Sequence, residues 1–234
     1  FLSDKNFNFV KGDIRNLDLL KILIKDKDVV IHLAAYVGFP ICRLKGEDES
    51  YSVNTQATQD LVDMMKEDQY LLFGSTGSNY GEVVGTCTEE TPLNPLFATA
   101  FGISPRMRLD LLVNDLTYKA VTEGYAVIYE SHFLRTFIHV RDLAKSFVFA
   151  IDNHEKMKSN VYNVGSNKMN HTKREVCELI NKEIPEAFFH HASIKEDPDK
   201  RNYKVSYDKI NSLGFDVEVD LPTGIKEIEN SAHL

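Results

Sequence analysis

The chain has 234 residues, 43% hydrophobic and 26% charged, ordinary proportions for a soluble globular protein with one sizeable core, or a large domain and a small appendage. A formal net charge of −8 argues against a nucleic-acid partner, which needs clustered Lys and Arg. No apolar run approaches the ~18 residues of a membrane span, and no signal peptide is visible. Three widely spaced cysteines, Cys42, Cys87 and Cys177, read as reduced thiols of a cytoplasmic protein. His190-His191 lacks a further ligand at metal spacing, so no metal site is expected. The chain opens at Phe1 without a Met, and the true N-terminus is expected upstream.

In chain order, Asn8-Phe9-Val10 reads as a short strand ending in the turn Lys11-Gly12-Asp13-Ile14-Arg15. Asp18 to Ile24 reads as a helix, Asp28 to Ala34 as a strand, Asn54 to Lys66 as a helix and Tyr70 to Ser75 as a strand. This β-α-β-α-β alternation predicts a doubly wound parallel sheet in an α/β fold. The pattern then breaks. Thr76 to Leu96 holds three glycines and two prolines and no helical period, although a parallel crossover needs about a dozen residues. Phe97 to Gly102 nevertheless ends like a strand.

Beyond it come a helix over Leu109 to Val121, a strand at Val127-Ile128-Tyr129 and a helix capped by Asp142. Val161 to Val164 reads as a strand. Thr172-Lys173-Arg174-Glu175 is a capping box before Val176 and Ile180. Ser206 caps a last substantial helix that stops at Gly214.

Two stretches carry the chemistry. Val29-Val30-Ile31-His32-Leu33-Ala34-Ala35 and Phe73-Gly74-Ser75-Thr76-Gly77-Ser78-Asn79-Tyr80-Gly81 are apolar runs ending in small residues, where a ligand could approach the backbone. With Gly12-Asp13-Ile14, Val53-Asn54-Thr55-Gln56-Ala57-Thr58 and the block Leu134-Arg135-Thr136-Phe137-Ile138-His139-Val140-Arg141-Asp142-Leu143-Ala144, the chain resembles the extended short-chain dehydrogenase/reductases. These are the NAD-dependent nucleotide-sugar epimerases and dehydratases, UDP-glucose 4-epimerase among them.

The resemblance implies a Rossmann-type sheet with a small C-terminal substrate-binding lobe. It divides the chain into a cofactor-binding part, 1–102, and a mostly substrate-binding part, 103–234. It also exposes gaps. No Gly-x-x-Gly-x-x-Gly and no Tyr-x-x-x-Lys occurs. The first βαβ unit is expected before Phe1. Between Leu96 and Phe97 the Tyr/Lys helix is expected to be deleted, or to belong to residues of the functional protein absent from this chain. A smaller gap is possible near Glu67-Asp68-Gln69.

Residue by residue, the resemblance places Asp13 and Ile14 at the adenine of NAD, and Leu33, Ala34 and Ala35 against the dinucleotide. Asn54 falls at the cofactor and Ser75 under the nicotinamide. Thr76 would be the surviving catalytic residue, bonded to the sugar hydroxyl. Ser78 and Thr99 would face the sugar, although relatives often carry Asn at the latter place. Val127 and Tyr129 would pack on the nucleobase. Arg135 and Arg201 would hold the diphosphate, a task that suits the guanidinium fork.

Plainer readings stand beside these: a turn for Asp13, an N-cap for Asn54, a turn hydroxyl for Thr76 and solvated charges for the arginines. His32 reads as a hydrogen-bonded core histidine. His139 and Asp142 read as a core histidine and a helix cap, and Arg106 and Arg108 have no assigned role.

The function implied is epimerisation in a cytoplasmic homodimer, with a nucleotide sugar as partner. A Tyr phenolate, tuned by Lys, removes a hydroxyl proton, hydride passes to NAD, and the keto-sugar is reduced again from its other face. The dehydratases of the family carry Asp-Glu after the Thr; here Gly77-Ser78 stand there, which favours epimerisation. A reductase, decarboxylase or dehydratase of the same family remains open, as does a truncated non-catalytic relative that binds NAD or nucleotide. Without its Tyr and Lys, the chain as it stands is expected not to catalyse the reaction.

Overall fold

The computed structural model describes residues 4–75, 86–91, 98–192 and 202–232. Packing divides the chain into two compact units, Phe1–Gly74 and Ser75–Leu234.

In the first unit, the Asn16 side chain accepts the Leu19 N–H at 3.1 Å and starts helix α1, Leu17–Ile24. Strand β1 is Val29–His32. Two short helices follow, α2 at Phe39–Lys45 and α3 at Glu47–Tyr51. The glycines bounding α2, Gly38 and Gly46, have φ of +96° and +89°, a conformation that suits only glycine. A π-helical turn at Ser52–Gln56 carries α3 into α4, Ala57–Met64. Strand β2, Tyr70–Phe73, pairs parallel with β1, Val29 opposite Tyr70 and His32 opposite Phe73. α1 packs on α4, and Ile24, Val53, Ala57 and Leu61 are buried. Gln69 Nε2 donates to the Ile24 and Lys27 carbonyls, both at 2.6 Å, and so fixes the entry to β2.

Two sequence expectations fail here. Asn8–Val10 is exposed and carries no ladder pairing; a stretch this short needs a neighbouring strand to define it. Helices α2 and α3 escaped notice because seven and five residues are too few to show a helical period.

The second unit opens with β3, Thr86–Cys87, and β4, Thr99–Phe101. Helix α5, Leu112–Thr122, leads to β5, Tyr125–Tyr129, then β6, Leu134–His139, and α6, Val140–Asp152. Then come α7, His154–Met157, β7, Asn170–Thr172, α8, Lys173–Glu183, and β8, Phe188–Ala192. Last are β9, Lys204–Val205, α9, Asp208–Asn211, and α10, Leu221–Ala232.

β4 pairs parallel with β6, Thr99 opposite Phe137, and β7 lies antiparallel on the other side of β6, His171 opposite Arg135. β5 and β8 pair parallel, as do β3 and β9. Phe101, Val113, Phe137, Val176, Ile180, Ile225 and Ile228 form the centre of the core.

The capping box at Thr172 and Glu175 forms as expected, both bonds present. Asp142 does not cap α6. His139 does, its Nδ1 accepting the Arg141 N–H at 3.3 Å, while Asp142 Oδ2 accepts the Val219 N–H at 2.9 Å. Val161–Val164 is not a strand; Val164 makes only an isolated bridge.

The helix expected after Ser206 is four residues long, with Tyr207 in the cap position, and Gly214 follows it at φ +101°. The last substantial helix is instead α10. Its opening, Leu221-Pro222-Thr223-Gly224, reads as breakers, yet proline is tolerated in a first turn. Asp220 Oδ1 accepts the Thr223 N–H at 2.9 Å. Gly224 is required by packing, since a Cβ there would lie 2.3 Å from Phe101 Cε2.

Candidate functional site

In the first unit, an open groove of about 520 Å³ lies at the C-terminal end of β1. Lys11, Gly12, Asp13, Ile14, Ala34, Ala35, Tyr36 and Val53 line it. Ligands of parallel α/β sheets bind outside the carboxyl ends of the strands, and this volume is of small-molecule size.

The walls are held by a continuous chain of hydrogen bonds. Thr58 Oγ1 donates to the Asn54 carbonyl at 2.9 Å and lies 2.9 Å from His32 Nε2. The hydroxyl proton is committed, so His32 donates from Nε2, and burial pushes its pKa down toward the neutral form. Asn54 lies inside the π-helical turn, so it is no N-cap. Its amide pairs with the backbone of Tyr36: Oδ1 accepts the N–H at 2.7 Å and Nδ2 donates to the carbonyl at 3.0 Å. The Tyr36 hydroxyl donates to Glu49 Oε1 at 3.2 Å, and Arg15 Nη1 donates to Glu49 Oε2 at 2.8 Å.

Arg15 also grips Asp13. Nε reaches Oδ1 at 3.0 Å, Nη2 reaches Oδ2 at 2.7 Å, and the Arg15 backbone N–H reaches Oδ1 at 2.9 Å. The side-chain bonds from Arg15, then its backbone bond, hold the Asp13 carboxyl down at about 2.

Of the residues expected at a dinucleotide, Asp13, Ile14, Ala34 and Ala35 share this groove, and Asn54 stands behind it. Leu33 is 61% exposed and is not part of the lining. Ser75 is half-buried and belongs to the second unit. Thr76, Ser78, Arg201, Leu96 and Phe97 lie outside the described residues.

Arg15, Tyr36 and Glu49 were missed by sequence reading. Only the Asp13-x-Arg15 spacing hinted at one of them; Glu49 reaches the site through tertiary contact. Asp13 offers an ionised carboxylate at a half-exposed edge, and Ala34 and Ala35 leave the backbone approachable.

In the second unit, Arg135 is 4% exposed on β6 and donates from Nη1 to the Leu134 carbonyl at 2.9 Å. Its guanidinium lies 6.0 Å from the centre of the Phe133 ring, and Lys173 Nζ lies 5.4 Å from the same centre. Lys173 is also buried and donates to the Tyr129 carbonyl at 3.1 Å. Thr99 and Tyr129 are half-buried, and Val127 is exposed on β5. Arg108 is paired with Asp110, Nη2 to Oδ2 at 2.6 Å.

Among the described residues, no group of three or more His, Cys, Asp or Glu is placed to hold a metal ion. No helix among them is long and apolar enough to cross a membrane.

Residues 2–107 match the model of the NAD dependent epimerase/dehydratase family. The match spans a little under half of the chain. Over 95% of its length it is 26% identical to a protein of Methanocaldococcus jannaschii named "Putative UDP-glucose 4-epimerase", spanning 83% of that relative. Half of the chain is 36% identical to the "Low-salt glycan biosynthesis protein Agl12" of Haloferax volcanii, spanning 39% of that protein. The crystal structure of UDP-glucuronic acid 4-epimerase from Bacillus cereus, in complex with UDP-glucuronic acid and NAD, superposes with a TM-score of 0.82 at 22% identity. The match covers 99% of this chain and 83% of the epimerase. The chain therefore has the α/β Rossmann-type fold that its parallel strands and helices indicate.

Proposed function

We propose that the protein is an NAD-dependent nucleotide-sugar epimerase that acts by transient oxidation and re-reduction of the sugar. The observation that carries this reading is the groove at the end of β1, where Asp13, Ala34 and Ala35 meet within the stretch, residues 2–107, that matches the NAD dependent epimerase/dehydratase model. When bound, NAD supplies the redox couple that the reaction needs. Asp13 and Ile14 would receive the adenine, Ala34 and Ala35 the dinucleotide backbone, and Asn54 would keep Tyr36 and the groove wall in place. Leu33 and Ser75 complete the proposed cofactor set.

On the substrate side, Thr76 would bond the reacting hydroxyl, polarising the C–O bond as charge develops. Ser78 and Thr99 would face the sugar, and Val127 and Tyr129 the nucleobase. Arg135 and Arg201 would hold the diphosphate. Gly77 and Ser78 stand where a dehydratase resembling this chain would carry acid and base, which supports epimerisation over loss of water. We take residues 1–102 as the cofactor-binding part and 103–234 as mostly substrate-binding, in a homodimer of the cytoplasm.

The test is steady-state kinetics of the full-length protein on UDP-, GDP- and dTDP-sugars with NAD. Epimerisation gives a new stereoisomer with no net NADH. Net turnover of NAD(H) would favour the reductase or decarboxylase reading instead. Thr76→Val should lower kcat with little change in KM, by about 10- to 1,000-fold for a lost preorganised donor. Arg135→Ala should mainly raise KM, because the diphosphate does not change during the reaction. Calorimetric binding of NAD and nucleotide sugar without turnover would support the non-catalytic reading, which the missing Tyr-x-x-x-Lys favours.

A further inference from the structure

Arg15 sits between two carboxylates, and the count of its bonds leaves one place at the groove unfilled. Asp13 Oδ1 accepts twice, from the Arg15 backbone N–H and from Nε. Among the described residues, Asp13 Oδ2 accepts once, from Nη2. A carboxylate offers about four lone-pair directions, two on each oxygen. Oδ1 is therefore saturated, and Oδ2 keeps one acceptor direction.

The other side of the guanidinium is fixed as well, by Glu49, which the Tyr36 hydroxyl holds in turn. Ion pairs this exposed add little stability. What a planar fork engaged by two acids does supply is orientation.

We propose that Arg15 is a positioning residue for base selection: by clamping Asp13 against Glu49, it turns the remaining acceptor of Asp13 Oδ2 into the groove and favours a base with an exocyclic amine over one with a carbonyl. This rests on the dinucleotide reading of the groove. An adenine amine donates to Oδ2. A carbonyl at the same position brings a second acceptor against an anion, and neither group has a proton to share. The low pKa of Asp13 keeps that anion charged throughout the neutral and mildly acidic range.

The experiment compares the affinity of the full-length protein for NAD and for nicotinamide hypoxanthine dinucleotide, by calorimetry at neutral pH. The native protein should prefer NAD by about tenfold, the value of a half-exposed hydrogen bond to a charged group. Arg15→Met should weaken NAD binding and reduce the preference to under about threefold, since the carboxylate is then free to rotate. Arg15→Lys, which restores charge but not the fork, should give an intermediate preference.

Glu49→Gln keeps the Asp13 clamp and loosens its anchor. It should lower the preference by about twofold, and it decides the matter if Arg15→Met does not fold. An unchanged preference in the folded variants, or a native protein that binds both dinucleotides equally, overturns the proposal and leaves the dinucleotide reading standing. A native protein that binds neither removes the dinucleotide reading and the proposal together.

Discussion

Asn54→Ala removes the amide that holds the backbone of Tyr36 at both ends. Two hydrogen bonds are lost, N–H to Oδ1 at 2.7 Å and Nδ2 to the carbonyl at 3.0 Å. Both are partly buried, and among the described residues the Tyr36 carbonyl keeps only the weak Cys42 thiol contact at 3.6 Å. At about 1 kcal/mol for each half-buried bond, the segment carrying Tyr36 loses about 2 kcal/mol.

Because the chain packs as two units, a single global unfolding curve is a blunt probe. Native-state hydrogen exchange at the Tyr36 amide is the direct one. Local opening should become about 30-fold more frequent, the factor that corresponds to about 2 kcal/mol. NAD affinity should fall in parallel, since Tyr36 lines the groove. Asn54→Asp keeps the acceptor for the N–H but sets a carboxylate against the Tyr36 carbonyl, and should behave no better than Ala. If Tyr36 exchange is unchanged in Asn54→Ala while the protein is folded, Asn54 does not hold the groove wall and the reasoning fails.

Gly102→Ala should be among the most destabilising small substitutions. Its Cβ would lie 2.2 Å from His139 Nε2, at φ +108°, against a ring that is 1% exposed and set edge-on to Phe101. Backbone strain and overpacking together cost about 3 kcal/mol, or ~6–12 °C in Tm; a fall under ~2 °C would show that His139 has room to move.

Stability should also fall as pH drops from 7 to 5. His32 and His139 both have pKa values lowered by burial, and for His139 this prevails over the nearby Glu227 and Asp142, which act the other way, with Arg141 adding to it. Above the ordinary value of about 6.5 neither state binds the protons; below it the unfolded chain takes them first, so stability is lost as pH falls through the folded values. A urea midpoint that rises on acidification would contradict this, and His139→Gln should flatten the slope.

Much of the fold is legible in the chain itself. The alternation of apolar runs and helical stripes from Leu17 to Phe73 specifies a parallel β-α-β arrangement, because side-chain period alone distinguishes strand from helix. The capping box at Thr172 needed no tertiary information. Elements with conflicting local signals were lost: α10 opens with Pro222 and Gly224, and it forms because Asp220 caps it and Phe101 fills the space where Gly224 lacks a Cβ. The cap of α6 was misassigned because Asp142 is the commoner capping residue. The fold spends it on the Val219 amide and leaves His139 to cap.

The candidate site divides in the same way. Asp13, Ala34, Ala35 and Asn54 are visible as short motifs, although the structure sets no strand before Asp13 and places Asn54 inside the π-helical turn. The clamp around them is not. Arg15 and Glu49 are 34 positions apart and Tyr36 and Asn54 are 18 apart, and no local pattern joins them. Sequence by itself determined which groups could meet a ligand. Tertiary structure decided how Asp13 is held: its donors among the described residues all come from Arg15, two residues on, but the other arm of the guanidinium is fixed by Glu49, which only the packing of α3 beside the end of β1 brings within reach.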